Sequence, residues 1–504
     1  MEDFLKEYAV VATVFIMLGA ALLMMPIPQR RPDLIRVVAV VAGFAVFVIS
    51  AGIFAFYDWE EGGLQFQMRW EWLENVGFFE ENGISLYFGV DGIAAPLFLL
   101  NGIVTFAGCL VSLKIKNRNK DFFILLFVLS SGVFGVFGAQ DLFFFFFWYE
   151  VAVLPMYMLI GIYGSSTDFG TFLRTKEYGA MKLTMMLVGG SVLIFVGIFT
   201  VFVEAGLGTF DLQALGSVSY DVNFQKAVFP LFLIGFGTLA GMWPLHTWSP
   251  DGHVAAPTAV SMLHAGVLMK LGAFGILRVG IFLFPEGAAF WMPALLVVGI
   301  IGALYGAVSA FGQRDLKYMI GYSSVSHMGY VLIGLATLNE IGVNGAVLQM
   351  FSHGVMTALF FLVVGALYDE AHIRDMTRFG GLAKSLPLIA GFMAIAGLTS
   401  LGLPGFSGFV AEFHIFVGLF QDYEWAGVLA VLAATITAAY VLRMLAMAFL
   451  GPFNERWTRL PDMSVNEVMG ASLLFAAILF MGLWPDPFVD RIASTIVGFP
   501  GIES

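Results

Sequence analysis

The sequence predicts an all-α integral membrane protein of about fourteen transmembrane helices. Of its 504 residues, 59% are hydrophobic and only 12% are charged, whereas a soluble domain carries about 25% charged residues. The apolar runs reach the roughly 20 residues that a helix needs to cross a bilayer. The basic residues are concentrated in alternate loops. No soluble domain is evident, and no basic face suits a nucleic acid.

Fourteen apolar spans follow one another along the chain. The longest connections between them are 58–91 and 204–226. Many spans are rich in glycine, which allows helices to pack closely in lipid. In order, we predict spans at 8–26, 35–57, 92–113, 121–139, 143–163, 178–203, 227–248, 256–284, 291–311, 317–338, 343–368, 387–413, 424–450 and 464–484.

The loop charges predict the orientation. Sixteen of the 24 Lys and Arg residues lie on one side, and the opposite side is rich in acids. The positive-inside rule puts the basic loops in the cytoplasm and both termini outside, in the cytoplasmic (inner) membrane of a bacterium. The basic set is Arg30, Arg31, Arg36, Lys114, Lys116, Arg118, Lys120, Arg174, Lys176, Arg314, Lys317, Arg374, Arg378, Lys384, Arg456 and Arg459, and the acids include Asp58, Glu60, Glu61, Glu80 and Glu81.

Two spans carry prolines that should break their helices. Pro244, with Pro250 and Pro257 following it, interrupts the seventh span, and Pro404 with Gly402, Gly405 and Gly408 interrupts the twelfth. The two interrupted spans are five apart, as expected of two five-helix repeats, spans 4–8 and 9–13. Because each repeat has an odd number of helices, the two repeats have inverted topologies in the membrane. The predicted organisation is an N-terminal segment 1–113, repeats 114–284 and 285–450, and a C-terminal segment 451–504.

Three ionisable residues lie in the middle of apolar spans. Glu150, in FFFFFFWYEVAVLPMYML, is either a proton-relay carboxylate or an acid kept protonated against a neighbouring helix. Lys270, in SMLHAGVLMKLGAFGILR, either exchanges protons because burial favours the neutral amine, or forms a static ion pair. Glu412 follows the break in LGLPGFSGFVAEFHIF. Since freed backbone groups need protein or water, we expect a hydrated cavity beside it.

Histidines add a second set of candidates. His327 and His353 lie on adjacent spans, each beside serine, and imidazole titrates near physiological pH. Together they indicate a polar file through the membrane. His264 and His246 are secondary candidates, since a single buried histidine is more often packed and hydrogen-bonded.

Other reactive side chains suggest no further chemistry. His246, Asp251 and His253 lie close together, but no further strong ligand is near and the prolines explain the segment, so we expect no metal site. The single Cys109 excludes a disulfide and a cysteine-ligated iron–sulfur cluster within this chain.

Long stretches of the sequence resemble one family. PLHTWSPDGHVAAPTAVSMLHAGVLMKLGAFGILR closely resembles the signature of the antiporter-like subunits of complex I and of multi-subunit cation/proton antiporters. QRDLKYMIGYSSVSHMGY, SHGVMTALFFLVVGALYD and GLPGFSGFVAEF match the same family in order and spacing. WYEVAVLPMYMLIGIYG and GVDGIAAP resemble the M-type chain, NADH–quinone oxidoreductase chain 4. The resemblance covers roughly residues 85 to 450.

This resemblance implies roles for the candidate residues. It implies fourteen helices in two inverted repeats around a polar axis in the plane of the membrane. Glu150 then matches the fifth-helix glutamate, Lys270 the eighth-helix lysine and Glu412 the twelfth-helix acid that faces the exit. His327 and His353 match positions that connect the two halves.

The function implied by the resemblance is proton translocation coupled to quinone reduction elsewhere in complex I. No cofactor is expected in this chain, whereas the complex would use NADH, FMN, iron–sulfur clusters and quinone. The expected partners are the other membrane subunits of complex I, above all neighbouring antiporter-like subunits. Two alternatives are a subunit of a sodium/proton antiporter and a structural subunit that does not pump.

One position departs from the family pattern. The family usually has a lysine shortly before the PLHTW motif, and the aligned position here is Leu239. Glu150 then lacks its usual partner, and an ionised carboxylate in the bilayer needs a cation. We predict that Lys182, at the start of the sixth span, takes this place. The alternative is a protonated Glu150 that acts as a neutral hydrogen-bond donor.

Overall fold

The computed structural model describes residues 2–74, 77, 83–168 and 173–503; Glu80 and Glu81 lie outside the described residues. The first nine helices are α1 Glu2–Met24, α2 Pro32–Phe56, α3 Ala94–Ser112, α4 Asn119–Gly138, α5 Leu142–Tyr163, α6 Lys176–Ala205, α7 Leu212–Gly216, α8 Val222–Ala240 and α9 Trp248–Ala255. The others are α10 Thr258–Ile281, α11 Pro285–Gly312, α12 Leu316–Ala336, α13 Glu340–Ala371, α14 Pro387–Ser400, α15 Ser407–Asp422, α16 Glu424–Phe449, α17 Val465–Leu483 and α18 Asp486–Ile496.

Twelve helices of the described chain are long and apolar enough to cross a membrane, which confirms the predicted fold class. Two of the predicted spans are not among the twelve. The tenth is α12, a 21-residue helix whose hydroxyl groups and histidine lower its hydropathy. The twelfth is divided into the shorter helices α14 and α15. The count of fourteen and the inverted repeats therefore stay predictions.

Both predicted helix breaks are present. The helix α8 ends at Ala240, and Gly241 follows in the left-handed conformation with φ 76°. Between α14 and α15, Gly402 and Gly405 have φ values of 70° and 96°, a region that only glycine adopts at no steric cost. A further irregularity was not predicted: α10 contains two π-helical segments, His264–Leu268 and Ile276–Ile281, on either side of Lys270.

The most buried helices form the centre of the molecule. In the apolar stretches of α10 and α13 that could cross a membrane, every residue is buried. In the corresponding stretches of α2, α6, α16 and α17, only 33 to 39% of the residues are buried. The peripheral helices expose apolar side chains, as lipid contact requires. Polar side chains on α10, α12 and α13 therefore face other helices and not lipid.

Small strands lie outside the bundle, in connections that the sequence leaves as loops. The predicted connection 58–91 folds as an antiparallel hairpin of β1 Gln65–Leu73 and β2 Ile84–Val90. Arg69 of β1 forms an ion pair with Asp211, 2.7 Å away, and so ties the hairpin to the connection before α7. A second pair of two-residue strands, β3 Thr167–Asp168 and β4 Leu173–Arg174, lies between α5 and α6.

Candidate functional site

Lys270 lies at the buried centre of the bundle and contacts a histidine. Its Nζ is 2.7 Å from Nδ1 of His353 on α13 and also donates to the carbonyl oxygen of Ala265. The π-helical segment helps to free that carbonyl, because the Met269 N–H bonds to His264, five residues earlier, and not to Ala265. No acid lies within 4.0 Å of Lys270 in the described chain, so the lysine has polar partners but no counter-ion.

Two histidines continue this row of ionisable groups. The rings of His353 and His327, on α13 and α12, are 5.3 Å apart between centroids. His327 has further polar neighbours on three helices. Its Nε2 lies 3.0 Å from the Ser400 hydroxyl, and its Nδ1 lies 3.1 Å from the Gln349 amide nitrogen. The structure thus brings together the two histidines that the sequence places on adjacent spans.

Glu412 ends the row. One carboxyl oxygen, Oε1, is 3.5 Å from Nδ1 of His327, and the side chain is 5% exposed. The break before α15 makes room for this carboxyl. A Cβ on Gly402 would lie 2.7 Å from the other oxygen, Oε2. Nearby, the Ser352 hydroxyl donates to the Ser407 hydroxyl over 2.8 Å, which ties α13 to the start of α15.

Glu150 stands apart from this row. Its carboxyl lies beside the Ser191 hydroxyl on α6, and Oε1 is buried without a hydrogen-bond partner. No cation lies within 4.0 Å of it in the part of the chain that the structure describes. Leu239, the position of the expected lysine, is fully buried.

The predicted pairing of Lys182 with Glu150 is wrong. The Lys182 Nζ donates instead to Oδ2 of Asp251 on α9, over 2.8 Å. Geometry explains the difference. Glu150 faces Ser191, which lies nine residues beyond Lys182 on α6, or about 13 Å along a helix. A lysine side chain cannot span that distance, whereas Asp251 lies directly beside Lys182.

The secondary histidines have separate surroundings. His264 packs between Trp248 and His253, whose ring centroids lie 5.2 Å and 4.2 Å from its own. His246 packs against Tyr305, with neither ring nitrogen hydrogen-bonded. His253 bonds through Nε2 to the Ser249 hydroxyl, 2.9 Å away. The sequence analysis considered His253 only as a metal ligand, although its i, i+4 spacing from Ser249 signals a polar face of α9.

A further titratable group lies outside the spans, at the start of α5. Asp141 caps that helix by accepting from the N–H groups of Phe143 and Phe144, and its second oxygen accepts from the Ser85 N–H. Burial raises the pKa of Asp141 to about 7, and the nearby Asp211 carboxylate adds to the rise.

Comparison with known proteins shows the family. The transmembrane family "NADH:quinone oxidoreductase/Mrp antiporter" matches residues 139–437. The chain belongs to this family. The matched region contains all eight candidate residues of the sequence analysis, from Glu150 to Glu412. Similar proteins include NAD(P)H-quinone oxidoreductase chain 4 of Acaryochloris marina, 36% identical over 93% of this chain and 88% of that protein.

Other members of the family extend the likeness. NAD(P)H-quinone oxidoreductase chain 4 of Gloeobacter violaceus is 34% identical, over 96% of this chain and 91% of that protein. Among solved structures, a chain of respiratory complex I from Thermus thermophilus is 27% identical with a TM-score of 0.87, over 98% of this chain and 100% of that one. A chain of the Mrp complex from Dietzia sp. has a TM-score of 0.85 at 20% identity, over 98% and 97%, and shares the fold.

Proposed function

We propose that this chain is a proton-translocating membrane-arm subunit of an NADH–quinone oxidoreductase of the complex I class. The observation that carries the proposal is the row Lys270, His353, His327 and Glu412. Each member contacts the next, and each comes from a different helix. Ionisable groups are costly inside a membrane and mark proton relays.

The contacts suggest how a proton moves along the row. Lys270 Nζ and His353 Nδ1 are 2.7 Å apart, and two positive charges at that distance would repel strongly. The pair therefore holds at most one positive charge, and the proton that carries it can pass from Lys270 to His353. The His353 Nε2 is buried without a partner. A water molecule there would satisfy it and bridge to His327, from which Glu412 accepts the proton.

The energy for this transfer comes from outside the chain. Moving one charge against 100 mV costs about 2.3 kcal/mol. In the proposed scheme quinone reduction in other subunits supplies it, and the redox cofactors lie there. The relatives named NAD(P)H-quinone oxidoreductase chain 4 are 36% and 34% identical. This likeness favours a redox-coupled complex over the sodium/proton antiporter alternative, and the intact row argues against a subunit that does not pump.

The partners and the orientation belong to the same proposal. The chain would contact other membrane subunits, in particular neighbouring antiporter-like subunits, with its basic loops in the cytoplasm. Single cysteines at Lys116 and Lys384 should then react with an impermeant maleimide only from the cytoplasmic side, and one at Gln67 only from outside. Cys109 is buried and should give little background. Labelling of all three from one side would overturn the orientation.

Variants in the assembled complex test the function. Lys270→Met and Glu412→Gln should each abolish proton movement per quinone reduced, measured with a pH-sensitive dye in sealed vesicles. The control is Lys226→Met, which removes a lysine that lies at the start of α8, outside the row. Normal pumping in both row variants, with the complex assembled, would refute the proposed relay.

A further inference from the structure

A carboxylate outside the row is held by three elements at once. Asp251 on α9 accepts from Nη1 of Arg174 in β4, from Nζ of Lys182 in α6 over 2.8 Å, and from the Tyr318 hydroxyl in α12 over 3.1 Å. Its side chain is only 3% exposed. The contacts join segments from both halves of the chain.

The charges around Asp251 are unbalanced in favour of cations. One carboxylate meets an ammonium and a guanidinium, so the ion cluster has more positive than negative groups. The side chains of Arg174 and Lys182 are 32% and 24% exposed, whereas that of Asp251 is 3% exposed. The two cations are therefore the more accessible part of the ion cluster.

The opposite face of α9 leads toward Lys270. Ser249 and His253, one turn apart, face inward, and the His253 ring lies 4.2 Å from that of His264 on α10. The Nδ1 of His253 and both ring nitrogens of His264 are buried without partners. Buried polar atoms in native proteins nearly always bond to protein or ordered water. The orphaned nitrogens therefore mark positions for water between α9 and Lys270.

We propose that Asp251 is the proton-uptake carboxylate of this chain and that Lys182 is the gate that controls its protonation. When the Lys182 ammonium swings toward solvent, Asp251 Oδ2 takes a proton from cytoplasmic water. The proton then leaves through water and the His253–His264 pair to Lys270, and the ion pair re-forms. The inference rests on the proposed function, because it supplies the proton that the row carries.

Glu150 does not fit this task as well. It has no cation within 4.0 Å in the described chain and no contact with the row, whereas Asp251 has both a partly exposed cation beside it and buried histidines on the inner face of the same helix. The titratable and charged groups of the described chain that face Asp251 and α9 include Arg174, Lys182, Tyr318 and Tyr322 on one side and His253, His264, Lys270 and Lys317 on the other. His246 lies just before the start of α9, and Arg374 donates from Nη1 to the Val254 carbonyl oxygen of the same helix.

The experiment uses the assembled complex in sealed vesicles and measures protons moved per quinone reduced across a range of pH. In Lys182→Met the carboxylate loses a neighbouring cation. The pH at which pumping falls on the alkaline side should therefore be about one unit higher than in the wild type. Lys182→Arg should restore the wild-type profile. The matched control is Lys176→Met, six residues earlier on α6, whose Nζ donates to the Ile162 carbonyl oxygen, and its profile should not move.

The second part of the experiment removes the carboxylate. Asp251→Asn should lower pumping by about tenfold or more while quinone reduction continues, and it should remove one carboxyl band from the infrared difference spectrum. An unchanged pumping ratio in Asp251→Asn, or a Lys182→Met profile equal to that of Lys176→Met, would overturn the inference. If Asp251→Asn fails to assemble, the profile of Lys182→Met decides.

Lys270→Met separates this inference from the proposed function. If Lys270→Met abolishes pumping and Asp251→Asn does not, the relay stands and the uptake role of Asp251 is refuted. If Lys270→Met pumps normally, the proposed function itself fails.

Discussion

Two regions of the bundle, the row from Lys270 to Glu412 and the surroundings of Glu150, bury their ionisable groups in different ways. From Lys270 through His353 and His327 to Glu412, each group contacts the next across four helices. Glu150, by contrast, lies beside the Ser191 hydroxyl, and no cation lies within 4.0 Å of it in the described part of the chain. Lys182, the cation that the sequence predicted as its partner, is engaged by Asp251.

This difference shows what a buried charge needs. A charge deep in a low-dielectric interior needs compensation from partners at hydrogen-bond distance. The row provides it with histidines and an acid. The surroundings of Glu150 have Leu239 at the expected lysine position, and the nearest ion cluster lies at the edge, where solvent shares the cost of Lys182 and Arg174. The same fold therefore holds a continuous row that crosses from one predicted repeat to the other and a separate ion cluster at its edge.

The largest expected effect comes from removing the matching acids of the two halves. Glu412→Gln should lower protons moved per quinone reduced by about tenfold or more, because it removes the acceptor at the end of the row. Glu150→Gln should lower the same ratio less than about twofold, since no lysine, arginine or histidine nitrogen lies within 4.0 Å of the Glu150 carboxyl in the described chain. Dye-monitored pumping in vesicles measures both. A greater loss in Glu150→Gln than in Glu412→Gln would reverse the comparison.

A new lysine in the first half sharpens the comparison. The family pattern places a lysine at position 239 opposite Glu150, so Leu239→Lys should be tolerated only while Glu150 remains to pair with it. Removing one partner of a buried ion pair costs about 3–5 kcal/mol. The double variant Leu239→Lys/Glu150→Gln should therefore unfold at a clearly lower temperature than Leu239→Lys. Additive effects in a double-mutant cycle would show that the two side chains do not meet.

The helix break beside Glu412 permits a matched pair of glycine variants. Gly402→Ala places a Cβ 2.7 Å from the Glu412 carboxyl at a φ of 70° and should destabilise the fold by about 1–3 kcal/mol. Gly391→Ala in α14 meets nothing within 4 Å and should leave stability unchanged or slightly raised. Thermal unfolding of the purified complex compares them. Equal melting temperatures would contradict the close approach.

The smallest expected effect lies at the N-terminal end of α5. The folded-state pKa of Asp141 is raised to about 7 from an ordinary 3.8, so the native state binds this proton more tightly than the unfolded state. Its contribution to stability is therefore largest below about pH 4 and falls as pH rises to about 7. Asp141→Asn should flatten the change in melting temperature between pH 5 and pH 8. Asp221→Asn, at the exposed cap of α8, should leave that change as it is in the wild type; equal slopes in all three proteins would contradict the prediction.

Several features of this protein follow from the sequence by itself. Long apolar runs predict membrane helices, and Pro404 with its glycines predicts the break before α15, because both effects act within one segment of backbone. Lys270, His353, His327 and Glu412 stand out for a similar reason. An ionisable side chain in an apolar span is conspicuous wherever its partners lie.

The tertiary structure decided the partners. Lys182 and Asp251 are 69 residues apart, and Lys270 and His353 are 83 apart. No local pattern specifies which helices meet or at what depth their side chains face one another. For this reason the hydropathy pattern could not exclude a pair between Lys182 and Glu150. The structure excludes it, because Glu150 lies beside Ser191, which is roughly 13 Å from Lys182 along α6. The inward face of α9, with His253, became visible only when α10 packed against it.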